Sequence, residues 1–184
     1  AKYVEETKVE VVDPINAAAW VLDRNLAEGR GDRPAIYFEG ETWRYRDVQA
    51  LANQTGNLLR ELGVGIETRV GLLMLDSPEY VAAFLGAVKL GAVPICLNTL
   101  LPPEAHAYML NDARVRVVLA HAEVVDGLLG VRDDLRWVRH IVVVGSPPAG
   151  CLAYRELLAR ASTALEPAPC SPEPGSDRPC ESTA

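Results

Sequence analysis

Few groups in this sequence have the chemistry to catalyse a reaction or hold a ligand, and they are scattered. Thiols and imidazoles come first, as nucleophiles, bases and metal ligands. Cys96 lies in an apolar run, Cys151 in a loop, and Cys170 and Cys180 close to the end. No two cysteines have the spacing of a zinc knuckle or a redox dithiol. They read as one core thiol, Cys96, and three incidental ones. His106, His121 and His140 are isolated, and none stands at i, i+4 from another ligand type. Satisfied or exposed histidines are expected, with no metal ligand among them.

Phosphate chemistry would need backbone N–H groups gathered at a glycine-rich turn. There is no G-x-x-x-x-G-K-[ST] loop, no G-x-G-x-x-G after a strand, no G-x-S-x-G elbow and no H-E-x-x-H. Gly63-Val64-Gly65 follows a helix and reads as a cap and turn. Gly145 to Gly150 follows a strand, but Pro147 and Pro148 remove two of the donors a cradle would use, so it reads as a linker. At Asp76-Ser77-Pro78-Glu79 a helix start offers N–H groups, yet the two carboxylates already satisfy the helix dipole and repel phosphate. Asn98-Thr99, neutral hydrogen-bonding groups at a strand end ahead of a proline-initiated helix, is the better binding candidate, though a plain turn is the more ordinary reading of the same residues.

These groups must be positioned by regular elements, and the hydrophobic pattern supplies them. Asn16 is an N-cap for a helix with Ala17, Trp20, Val21, Leu22 and Leu26 near one stripe. Two β-prone runs around Glu39-Gly40-Glu41 form a hairpin. Val48, Leu51, Ala52, Thr55, Leu58, Leu59 and Leu62 recur at helical spacing up to Gly63, the C-cap. "RVGLLML" is short and continuously apolar, as a strand buried on both faces should be. A helix follows, with Ser77 as N-cap, Pro78 in its first turn and Gly91 as its stop. "VPICL" is a second buried strand, "PPEAHAYMLNDA" a helix, "VRVVLA" a strand, "AEVVDGLLG" a short helix, "HIVVVG" a strand and "YRELLARAS" a helix. This alternation predicts an α/β fold: a parallel sheet flanked by helices on both faces, preceded by a helix and a β-hairpin.

The low-charge stretch 84–105 is core and not a membrane span, since Lys89, Gly91 and Pro94 interrupt it short of ~20 apolar residues. A net charge of −7 argues against a general surface for nucleic acid or anionic lipid. Residues 1–13 form a polar arm, mixed in sign and without an apolar leader, so a cytoplasmic protein is expected. Residues 14–165 form the α/β unit. Residues 166–184, rich in proline, serine and acid, are expected to be a disordered tail.

The stretches "NAAAWVLDRNLAEGRGDRPAIYFEGETWRYRDVQALANQTGNLLRELGV" and "DSPEYVAAFLGAVKLGAVPICLNTLLPPEAHAYMLNDARVRVVLA" resemble the amino-terminal part of the adenylate-forming acyl-CoA synthetases. "D-S-P-E", "G-A-V-K-L-G-A-V-P" and "L-N-T-L-L-P-P-E" are most similar to the benzoate–CoA ligase branch. The resemblance covers 14–165. It implies that the full-length enzyme joins a carboxylic acid such as benzoate to CoA, using ATP and Mg²⁺, by way of an acyl-adenylate. It implies no cofactor held by this chain, because the Ser/Thr/Gly-rich phosphate loop and the mobile lysine domain have no counterpart in it. Two departures stand out. Some branches carry a basic residue for CoA phosphate where this chain has Leu100, and a capping threonine where it has Arg44. Asn98 and Thr99 are then expected to line the CoA or acyl side. Two readings follow: an inactive amino-terminal fragment of an acid–thiol ligase, or a stand-alone α/β module that binds a partner chain. The fragment reading also predicts a homo-oligomer formed through exposed apolar surface.

Overall fold

The computed structural model describes residues 15–169. Its centre is a five-stranded parallel sheet in the order β4-β3-β5-β6-β7, with a separate antiparallel hairpin, β1-β2, beside it. The strands are β1 (Pro34–Phe38), β2 (Glu41–Arg44), β3 (Arg69–Leu73), β4 (Val93–Cys96), β5 (Val117–His121), β6 (His140–Val144) and β7 (Leu152–Ala153). The helices are α1 (Arg24–Ala27), α2 (Tyr45–Glu61), α3 (Pro78–Lys89), α4 (Pro103–Asp112), α5 (Val125–Gly130) and α6 (Tyr154–Leu158).

Helices cover both faces, as the pattern predicted. On one face Val70, Leu72, Val117, Leu119 and Val142 pack against Leu58 and Leu59 of α2, Ala83 and Ala87 of α3, and Leu157 of α6. On the other, Leu73, Val118, Ala120, Ile141 and Val143 meet Leu110 of α4 and Leu128 of α5. Strand residues alternate between the two cores, so the central strand β5 is buried at every position and reads as continuously apolar.

The caps explain where helices hand over to strands. In α3, Ser77 Oγ accepts from the Tyr80 N–H at 3.1 Å, and Pro78 occupies the first turn. Gly91 ends that helix with φ of 80°, its N–H on Val88 and the Ala92 N–H on Ala87 O, a Schellman cap that delivers the chain straight into β4. Arg44, at the N-cap of α2, has no side-chain acceptor to offer; only the reverse half of the capping box forms, with Asp47 Oδ2 accepting from the Arg44 N–H at 3.0 Å.

Helices α2 and α3 touch at glycine. A Cβ on Gly86 would lie 2.5 Å from Ala52 O and 2.9 Å from Gly56 N, so only glycine permits this crossing.

Three expectations need correction. Asn16 does cap the first helical run, its Oδ1 accepting from the Ala18 and Ala19 N–H groups. However, Ala19–Asp23 is a π-helical turn, and its i→i+5 bonding shifts the side-chain phase. Ala18 and Leu22 are therefore buried, whereas Trp20 and Val21 face outward at 51% and 44% exposure. The Arg24 guanidinium stacks 3.9 Å from the Trp20 ring centroid. Secondly, β4 is an edge strand, only half buried, and not a fully buried one; Pro94 lacks an N–H and suits an edge. Thirdly, Cys96 at the end of that edge is exposed, so it is not a core thiol. A short strand the sequence pattern did not show, β7, extends the sheet beyond β6.

A buried polar network holds the far end of the described chain. Lys89, 2% exposed, donates to Asp23 Oδ1 and to Asn53 Oδ1, both at 2.8 Å. The Asn53 amide in turn donates to Thr163 O at 2.7 Å. Asn57 donates to Ser162 O and Ala164 O, and Asn16 to Ala168 O. The Ala168 N–H returns a bond to Lys89 O at 2.8 Å. Residues 162–168 thus lie as a strap across α2 and α3. The expected tail begins at 166, but 170–184 lie outside the described residues.

Candidate functional site

In a parallel sheet ligands collect beyond the carboxyl ends of the strands, above all where the strand order reverses. Here β4 lies on one side of β3 and β5 on the other, so the reversal falls between β3 and β5.

That crevice is filled from within. His121, the last residue of β5, accepts at Nδ1 from the Leu75 N–H at 2.9 Å. Its Nε2 lies 3.5 Å from Ser77 Oγ. Burial holds the imidazole below the ordinary histidine range, against the opposing carboxylates of Glu123 and Glu79. His106 is likewise satisfied: its Nε2–H donates to Asn98 O at 2.8 Å. Both agree with the expectation of hydrogen-bonded histidines, and among the described residues no group of three or more His, Cys, Asp or Glu side chains could hold a metal ion.

A cleft of about 500 Å³ opens beyond the end of β6, walled by Trp43 of the hairpin, Glu79 of α3, Val144, Ser146, Tyr154 and Arg155. Trp43 and Glu79 also border a smaller acidic groove with Glu39 and Glu41. Tyr154 forms its floor. Thr55 Oγ spends its proton on Leu51 O at 2.8 Å, so the Tyr154 hydroxyl is the donor in the 2.6 Å bond between them. Burial pushes the Tyr154 phenol well above its ordinary value. Tyr80, hydrogen-bonded to Cys96 and partly buried, is pushed up to about 12. The lining carries one carboxylate, Glu79, and one guanidinium, Arg155, so the charges of this cleft balance and do not single out an anionic ligand.

Asn98 and Thr99 follow β4, which two strands, β3 and β5, separate from β6 across the sheet. The Asn98 side chain turns back on its own loop, Oδ1 accepting from the Leu100 N–H at 3.0 Å. Asn98 is exposed and Thr99 half-buried, and neither lines the 500 Å³ cleft. Leu100 is 90% exposed. Sequence reasoning missed the pairing of His121 with Leu75, because no spacing rule joins residues 46 positions apart. It also missed the cleft, whose walls come from five separate elements, β2, α2, α3, β6 and α6. Lys89, the lone cation in a long apolar stretch, was the one visible hint of the buried network.

The described residues do not fit a Mg²⁺ site of their own, since no sufficient donor set gathers, and no helix of the described residues is long and apolar enough to cross a membrane.

Comparison with known proteins places this geometry in a family. Residues 23–180 match the family model described as AMP-binding enzyme. The 4-hydroxybenzoate–CoA/benzoate–CoA ligase of Rhodopseudomonas palustris is 37% identical over 144 residues, covering 78% of this chain and 27% of that protein. An anthranilate CoA ligase crystallised in complex with anthranoyl-AMP superimposes with a TM-score of 0.83 at 38% identity, over 87% of this chain and 31% of its own. A benzoate CoA ligase from Burkholderia xenovorans gives a TM-score of 0.74 at 32% identity, over 84% and 30%. The chain spans about a third of the length of these relatives. The doubly covered parallel sheet matches their amino-terminal part, and the chain belongs to the AMP-binding enzyme family.

Proposed function

We propose that this chain is the amino-terminal α/β part of an ATP-dependent ligase that joins an aromatic carboxylic acid, such as benzoate, to CoA. The carrying observation is the joint likeness, in sequence and in fold, to ligases named for benzoate, hydroxybenzoate and anthranilate. In the reaction a carboxylate oxygen attacks the α-phosphorus of ATP and pyrophosphate leaves. The CoA thiol sulfur then attacks the acyl carbon, AMP leaves, and the thiol gives up its proton. The role of this chain is scaffolding. Its sheet presents its carboxyl edge to the rest of the enzyme, and Asn98 and Thr99 line the CoA or acyl side. The protein acts in the cytoplasm.

The chain by itself makes no acyl-adenylate. Charge developing on the transferring phosphoryl group needs pre-placed N–H donors and cations, and loss of even one donor typically costs about two to three orders of magnitude in rate. Exposed apolar side chains, Leu100 at 90% and Tyr108 at 71%, favour self-association or a partner chain.

Four measurements test the reading. Purified chain with benzoate, Mg-ATP, CoA and pyrophosphatase should release no AMP above a no-protein control, and turnover would show that the chain is catalytic alone. A chimera carrying residues 15–169 in place of the matching segment of the Rhodopseudomonas palustris ligase should form benzoyl-CoA. A soluble, folded chimera with no such activity would sink the ligase reading. Replacing Asn98 and Thr99 together by Ala and Val in that chimera should raise KM for CoA or benzoate, while a monodisperse monomer in sedimentation would argue against association.

A further inference from the structure

We propose that His121 is a proton-operated latch on the crevice between β3 and β5: its neutral imidazole holds the Leu75–Ser77 turn against the sheet, and protonation releases that turn. The geometry assigns the tautomer. A backbone N–H can only donate, so Nδ1, 2.9 Å from Leu75 N, must be the bare acceptor nitrogen. The one ring proton of the neutral form then sits on Nε2, directed toward Ser77 Oγ at 3.5 Å. Ser77 Oγ already accepts from the Tyr80 N–H and has a second lone pair for the imidazole. One side chain thereby ties the end of β5 both to the chain leaving β3 and to the cap of α3. Adding a proton to Nδ1 would set two donors against each other at hydrogen-bond distance, in a side chain whose residue is only 8% exposed. The bond cannot survive as built.

The surrounding charges do not change that outcome. Asp76 sits in the turn itself, Glu79 and Tyr80 come from α3, and Glu123 follows β5, while β6 ends in uncharged Val144 and is followed by uncharged Gly145 and Ser146. Glu123 and Glu79 favour the imidazolium, but burial outweighs them. The unfolded chain therefore takes up the proton before the folded one as pH falls. The latch's stabilisation is complete above the ordinary histidine value of about 6.5 and is lost as pH drops through the lower folded-state value. The latch lies where ligands of parallel α/β sheets collect, so its release loosens the carboxyl edge of the sheet while leaving the strands paired.

The test uses the whole 184-residue chain with ¹⁵N-labelled histidine. Two-bond ¹H–¹⁵N spectra at neutral pH should show His121 as the Nε2–H tautomer. Amide exchange, corrected for intrinsic rates, should show Leu75 losing at least about tenfold in protection between pH 7.5 and pH 4.5 while Leu119 and Val142 keep theirs; about tenfold corresponds to 1.4 kcal/mol of local opening. His121→Asn places an oxygen acceptor at the Nδ1 position without a titrating proton, and should hold Leu75 protected at both pH values. His121→Leu should leave it unprotected at both. An Nδ1–H tautomer, a Leu75 amide indifferent to pH in the unaltered chain, or a pH-dependent loss that persists in His121→Asn would each overturn the latch.

Discussion

Replacing Lys89 by methionine isolates the buried polar network from simple loss of volume. Met keeps most of the apolar stem of lysine, so the cavity is small; what disappears is the ammonium. Lys89 is 2% exposed and bridges Asp23 and Asn53 at 2.8 Å each. Asn53, itself 4% exposed, would be left with an unpaired buried carbonyl oxygen, a cost of about 1–3 kcal/mol. Breaking a buried ion pair costs about 3–5 kcal/mol, but the Asp23 side chain is 29% exposed and regains water, which places this case at the low end. The two costs describe overlapping losses, so Lys89→Met should destabilise by about 3 kcal/mol. With a urea m-value of about 2 kcal/mol/M, the unfolding midpoint should fall by about 1.5 M. Exchange protection should fall earliest at Ala168, whose N–H bonds to Lys89 O, because freeing the Asn53 amide weakens the strap. A midpoint shift below about 0.3 M would show that the pair and its desolvation cancel, and that the network does not hold the strap.

Two further outcomes follow from local geometry. Gly86→Ala should destabilise by at least about 2 kcal/mol, since its Cβ would meet the Ala52 carbonyl at 2.5 Å, and a Tm within a degree or two of the parent would mean that α2 and α3 separate freely. Arg44→Ser should stabilise by about 0.5–1 kcal/mol, by giving α2 the N-cap acceptor it lacks, offset by loss of the exposed Arg44 bond to Asp32 O; an unchanged or lower midpoint in urea would show that this offset dominates.

The sequence displayed most of the sheet and its helices because both faces of a parallel sheet are apolar and each helix announces its ends. Ser77, Pro78 and Gly91 bracket α3 at the residues expected, and "VRVVLA" could be nothing but a buried strand. What it did not display depends on contacts between distant elements. Edge and centre strands look alike in sequence: "VPICL" is as apolar as "VRVVLA", and only Pro94 hints that its outer side is unpaired. Periodicity assumes a constant turn, so the π-helical stretch at Ala19–Asp23 hid which side of the first helix faces inward. The candidate site was the least legible part. Asn98 was visible as a polar group at a strand end, but His121 gains its meaning only from Leu75, and the cleft only from Trp43 of the hairpin meeting Arg155 near the other end.

The strap also bears on how the chain comes into being. Asn16 finds its partner Ala168 across 152 residues of sequence, and Asn53 finds Thr163 across 110. At a synthesis rate of about 5–20 residues per second, the first of these gaps corresponds to roughly 8 to 30 s on the ribosome. During that interval Asn16 and Asn53 lack these carbonyl partners, and Gly56 lacks the Leu165 side chain that closes over it. Helices α2 and α3 can pair early, yet their outer seam stays open until residues 162–168 emerge. The nascent chain thus passes through a stage with its apolar faces formed and its polar clasp incomplete, the stage at which a chaperone would hold it.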